Sequence, residues 1–271
     1  MVISQACIVA AAGFASVALR SFESQALFRI GTLGLVATSF LAGWLLGGSL
    51  ILASVFASTW FLLPWMEILT RVRRLRLPLD RSLRKCPPPS NNKFPDFSSL
   101  SDDMESIGFE YVDDVDWSHG DTRHFYRLFY DPKNFVTASI CLLEQDQFSF
   151  FYVTFTSRSK DGRLFLTWNY PFSYGMHLLP HTTLNKVDED LEVEELALSH
   201  ISFLSSQDSP EIIALEAESI RNQIESELRT QLEHNIARGI LVRDQDQMIR
   251  YSLRGMFFLW VQFLREFVRF S

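Results

Sequence analysis

Between Ile30 and Met66 the chain runs for 37 residues without a single formally charged side chain. As one helix this run would extend about 55 Å, against a hydrocarbon core of about 30 Å in a bilayer. One straight span therefore leaves far too much helix. Two spans joined by a tight turn fit, with Gly47-Gly48-Ser49 as the turn between Ile30–Leu46 and Leu50–Met66. Gly43 and Gly47, and likewise Ala53 and Ala57, form small-xxx-small pairs that let two helix backbones approach closely. Trp60, Pro64 and Trp65 suit the interfacial end of the second of these spans.

Residues 2–19 form another uncharged stretch, ended by Arg20. It lacks the basic residues that precede the apolar core of a signal peptide, and a longer apolar region follows at once. It reads as a further span, with Arg20–Arg29 as the connecting loop. The expectation for residues 1–70 is thus a helical membrane anchor of three short spans. No acid or base interrupts the long run, which argues against an ion or proton path through it.

Directly after Met66 come Arg71, Arg73, Arg74, Arg76, Arg81, Arg84 and Lys85, opposed only by Asp80. Basic residues this close to a span are retained on the cytoplasmic side. The rest of the chain is therefore expected in the cytoplasm, with the N-terminus outside for three spans and inside for two. Arg71, Arg73, Arg74 and Arg76 are candidates for holding anionic lipid headgroups, each contributing about 1 kcal/mol. Pro87-Pro88-Pro89 ends this basic juxtamembrane segment, residues 71–91, as a stiff linker.

Beyond the prolines the chemistry changes. From Asn92 to Gly255 there are 14 Lys and Arg against 28 Asp and Glu, a net charge of −14. Such a surface stays solvated and repels nucleic acid, whose binding needs several cations on phosphates. Leu100, Met104 and Ile107 recur at helical spacing over Phe97–Ile107. Alternating runs follow at Phe125–Tyr130, Phe135–Leu143, Phe148–Ser157 and Arg163–Tyr170, with an Asp161-Gly162 turn between the last two. Leu191–Leu204 returns to helical period. Residues 92–206 are expected to form an α+β domain, an antiparallel sheet of about five strands with helices on one face.

Ser209-Pro210-Glu211 carries the signals of a helix start, and Ile213, Ala217, Ile220, Ile224, Leu228, Leu232 and Ile236 line one face up to Gly239. The spacing departs from a heptad, which favours packing on the same chain over a zipper and keeps a homo-oligomer as the lesser expectation. Ile240–Arg243 and Met248–Leu253 read as a hairpin that closes the segment 207–255. Residues 256–271 form an amphipathic aromatic helix, too short to span. Its Phe257, Trp260, Phe263 and Phe267 are expected to contact the membrane surface, a reading preferred over docking against the spans.

The best constellation with metal-ligand chemistry is His119, Asp121 and His124 in WSHGDTRH, where the glycine marks a loop; His177 and His181 share a four-residue spacing that Pro180 keeps out of a helix. Asp113, Asp114 and Asp116 lack the glycine and terminal glutamate of a calcium loop. Neither a phosphate loop, a dinucleotide fingerprint nor a nucleophile elbow occurs, and no cofactor is implied. The three cysteines fall at unrelated positions. Cys141 reads as core, while Cys86, beside the basic run, is a candidate acylation site. The expectation is a membrane-anchored cytoplasmic interaction module that binds a protein or lipid partner through its soluble domain. A membrane-bound, metal-dependent hydrolase using the His119 loop is the alternative.

Overall fold

The computed structural model describes residues 2–22, 24–90, 94–145, 148–172, 174–188, 190–208 and 210–268. Three apolar helices come first: α1 (Val2–Arg20), α2 (Gln25–Gly47) and α3 (Leu50–Thr70). The turn expected at Gly47-Gly48-Ser49 forms there. Gly48 adopts φ +60°, a left-handed conformation open to glycine at no steric cost, and its N–H returns to Trp44 O at 2.8 Å. Ser49 then caps α3 by accepting from Ile51 N at 3.2 Å. α2 and α3 are each long and apolar enough to cross a membrane; α1 is apolar and shorter.

Small residues set how closely these helices approach. A Cβ at Gly43 would lie 2.8 Å from Ala53 Cα, and one at Gly34 would clash with the Ser16 side chain. Gly13 faces Thr38 and Gly31 faces Arg20, so α1 runs antiparallel to α2. Trp60 Nε1 donates to Ser39 Oγ at 2.7 Å across the α2–α3 seam. The outer surface of the bundle is apolar: Phe14 is 78% and Ile51 77% exposed, with Leu33 and Leu62 also open.

The rest of the chain is α+β. Seven strands pair in the order β2-β3-β4-β5-β6-β7-β8: β2 (Arg84–Lys85), β3 (Glu110–His119), β4 (Thr122–Asp131), β5 (Val136–Gln145), β6 (Phe148–Arg158), β7 (Leu164–Trp168) and β8 (Thr182–Lys186). Every pairing is antiparallel except the last, β7 with β8. On one face α4 (Phe97–Ser106) and α5 (Val193–Ser205) cover Phe125, Phe129, Ile140 and Phe155. On the other, α6 (Ala217–Ala237) covers Val115, Trp117, Tyr126 and Leu128. The sheet is thus larger than the five strands expected, and helices cover both faces rather than one. The alternation along β4 shows why both faces need cover: Phe125 and Phe129 lie on one, and Tyr126, Leu128 and Tyr130 on the other.

Strand β3 carries Asp113, Asp114 and Asp116, residues unfavourable in strands. Its neighbours neutralise them. Arg127 grips Asp114 with two hydrogen bonds of 2.8 and 2.7 Å, Arg123 bonds Asp116 at 2.6 Å, and Lys85 lies 3.1 Å from Asp113. A second bidentate pair fastens α6 to the sheet, Arg158 Nε and Nη2 to Glu227 at 2.5 and 2.8 Å.

Residues 210–216 do not begin a helix as their composition predicts; α6 starts at Ala217. Ile212 instead bridges Ser159, and Ile213 N bonds Arg158 O at 2.8 Å, so strand-type bonds at the end of β6 replace two helical turns. Ser209, the expected cap, lies outside the described residues. The expected hairpin forms as β9 (Leu241–Arg243) and β10 (Met248–Tyr251), and β1 (Leu77–Pro78) joins it as a third strand. The segment 71–91 is therefore no free linker: β1 belongs to the small sheet and β2 to the large one. The last helix, α7, spans Leu253–Val268.

Close packing at Gly43 makes a measurable demand. Gly43→Leu drives a side chain into the Ala53 backbone and should destabilise the purified full chain in detergent by about 1–3 kcal/mol. Leu33→Ala, on the open outer surface, should leave the melting temperature nearly unchanged. Equal melting of both variants would contradict the α2–α3 packing.

Candidate functional site

The His119, Asp121 and His124 loop is a tight hairpin turn between β3 and β4, with Gly120 at φ +57°. The structure does not bring these three together as metal ligands. His124 pairs with Trp117 across the hairpin and stacks on its indole, centroids 4.2 Å apart and planes 14° apart. Burial beside the Arg81 guanidinium pushes its pKa down to about 3. His119 and Asp121 remain at the exposed tip. Among the described residues no three His, Cys, Asp or Glu side chains are placed to hold a metal ion. The metal reading is corrected: hairpin geometry turns one candidate ligand into an aromatic stack.

Cys86 is not the exposed thiol that acylation needs. It is half-buried against the core under α4, and burial raises its pKa to about 11. Cys141 lies in the core beneath α6, as expected.

The aromatic face of α7 is not laid on a surface by itself. Phe257 and Trp260 pack on Trp65 with centroids 6.1 and 6.0 Å apart, and Phe267 stacks on Trp60 at 5.6 Å. Trp260 Nε1 donates to Phe61 O at 2.8 Å, and Thr32 Oγ1 reaches Phe267 O at 3.4 Å. Of the two sequence readings, docking against the apolar helices is the one observed. Phe257 and Phe263 keep part of their rings open beside this seam.

The basic residues divide into two groups. Leu69, Arg73, Arg74 and Arg76 line one open groove of about 530 Å³ at the end of α3. Arg76 is held by Asp244 at 2.5 Å, and Arg71 by Glu67 at 3.1 Å outside the groove. Arg73 and Arg74, in a short 3-10 turn, carry no carboxylate partner among the described residues. Arg84 and Lys85 form strand β2, where both stay exposed and Lys85 pairs with Asp113. Arg81 turns inward, its guanidinium 4.8 Å from the Trp117 ring. Nothing in its sequence context singled it out from the other six cations; only the fold separates it.

One hydroxyl–imidazole pair resembles catalytic machinery. His200 accepts or donates at Ser157 Oγ, 3.0 Å, and at Thr167 Oγ1, 2.8 Å. All three are closed to solvent, and burial lowers the His200 pKa to about 4. This is a neutral bonding network that joins β6, β7 and α5. No family model, curated protein or solved structure matches this chain.

The two most deeply buried of the depressed histidines, His124 and His200, give the body a defined acid sensitivity. The unfolded chain binds their protons near pH 6.5, while the folded one refuses them down to about 4 and 3. Their contribution is complete above about pH 6.5 and is lost as pH falls toward 4. Denaturant unfolding of the full chain, followed by tryptophan emission, should show stability falling between pH 7.5 and 5. His200→Gln should flatten that slope, and an equal slope in the variant would refute the assignment.

Proposed function

We propose that the chain is a multi-pass membrane protein whose helices α1, α2 and α3 cross the bilayer and hold the α+β body at the cytoplasmic surface. The observation that carries this reading is the outer face of the three-helix bundle. Phe14, Leu33, Ile51, Leu62 and their neighbours form an apolar surface far larger than a water-soluble chain leaves open. The antiparallel packing places Arg20, the start of α2 and the end of α3 at one end, together with the arginine groove. The Gly48 turn and the N-terminus of α1 fall at the other. Retention of cations on the cytoplasmic side orients this arrangement with the N-terminus outside.

The body then acts as a non-enzymatic docking module for a lipid or protein partner. Support comes from its acidic exterior, from the arginine groove one turn beyond α3, and from the enclosure of its Ser157–His200 pair. Arg73 and Arg74 are the residues for anionic headgroups, because no carboxylate neutralises them.

An impermeant maleimide should label Ser49→Cys in intact cells and Ser206→Cys only after permeabilisation. The reverse pattern would overturn the orientation, and release of the chain by alkaline carbonate would overturn the anchor. Replacing Arg73 and Arg74 with Gln should weaken retention of anionic lipid in nanodiscs by about 2 kcal/mol. Unchanged lipid retention would place headgroup contact elsewhere.

A further inference from the structure

Arg81 sits in the extended stretch between β1 and β2, with its chain directed under α6. Its Nε is sealed from solvent and has no hydrogen-bond partner, and no carboxylate among the described residues forms an ion pair with it. Trp117 Nε1, beneath it, is likewise sealed from solvent, with the Tyr126 hydroxyl as its polar neighbour. Tyr126, buried, and Tyr174 and Tyr251, half-buried, surround the guanidinium, and desolvation opposes ionisation of each phenol. Arg81 is half-buried, and a guanidinium that loses part of its hydration without a counter-charge is stabilised by an anion at its open Nη edge.

The space beside it can. A cavity of about 290 Å³ opens between Leu79, Arg81, α6 and the hairpin, and Arg229 and Gln247 also face it. Three carboxylates border the same cavity; Glu233 is neutralised by an ion pair, while Glu225 is held through one oxygen by a backbone N–H and keeps its charge. Glu225 accepts from Leu83 N at 3.0 Å, and both oxygens of Glu233 take Arg243, at 2.8 and 2.9 Å. The third, Asp80, is exposed on the rim. Arg229 has no ion-pair partner among the described residues. The cavity therefore offers two uncommitted guanidinium groups and a side-chain amide, a donor set matched to tetrahedral oxygen.

We propose that this cavity binds a small oxyanion, a phosphate or phosphate monoester, gripped by Arg81 at its base and Arg229 at its wall. The assignment goes beyond the anchor reading and does not depend on it. Its site is separate from the Arg73 and Arg74 groove, which faces outward at the end of α3.

Calorimetric titration of the full chain in neutral-detergent micelles tests it, with inorganic phosphate in one arm and short-chain phosphatidic acid in the other. Saturable phosphate binding is expected, about tenfold weaker in Arg229→Gln and abolished in Arg81→Gln, the loss expected for a charged hydrogen bond. Arg73→Gln should leave it unchanged. Binding of phosphatidic acid alone, with the same dependence on Arg81 and Arg229, would identify the oxyanion as a lipid headgroup. Arg229 is exposed, so its variant decides the question even if Arg81→Gln fails to fold. Absence of saturable binding in both arms, or binding indifferent to Arg229→Gln, would overturn the proposal.

Discussion

Ile68, near the end of α3, is wholly enclosed by Met256 and Leu259 of α7, with Trp65, Val72, Tyr251 and Trp260 packed around it. This small apolar joint connects the helical bundle to the α+β body. Tyr251 takes part in it and also in the core of the small sheet, and its hydroxyl holds Gly175 O at 3.1 Å. Gly255 lets α7 begin against Ile240 O, where a Cβ would collide with that oxygen. Bundle, hairpin and α6 thus share one packed junction. The body does not hang from a flexible tether; its direction is fixed by that of α3.

Charge pairing plays the corresponding role inside the body. Arg127 with Asp114 and Arg158 with Glu227 are shielded pairs, and their main effect is on register, because slipping either strand would leave a charge buried alone. His177 is treated similarly by neutral groups. Its N–H donates to Asn235 Oδ1 at 2.8 Å, and its carbonyl accepts from the amides of Asn235 and Gln231, which clamps the loop after β7 onto α6. Arg81 stands apart as a shielded cation with no such partner, and this contrast gives its cavity chemical meaning.

Spacing and composition by themselves determined the parts of the protein that local physics controls. An uncharged run too long for one span, broken by Gly47-Gly48-Ser49, specifies a helical hairpin before any packing is known. The α4 period with Gly108 as its stop, the strands around Asp161-Gly162 and the β9–β10 hairpin are similarly written in short stretches. Tertiary structure alone decided the rest. Strand β1 pairs Leu77 with Ile249, far apart in the chain, and a two-residue strand has no period to detect. β3 survives three aspartates only because Lys85, Arg123 and Arg127 arrive from neighbouring strands. Residues 210–216 leave the helix because β6 offers them better hydrogen bonds. His124 loses its candidate role to Trp117, and Arg81 gains one from the space under α6. Each of these outcomes depends on partners that become adjacent only when the chain closes, and spacing along the sequence carries no record of them.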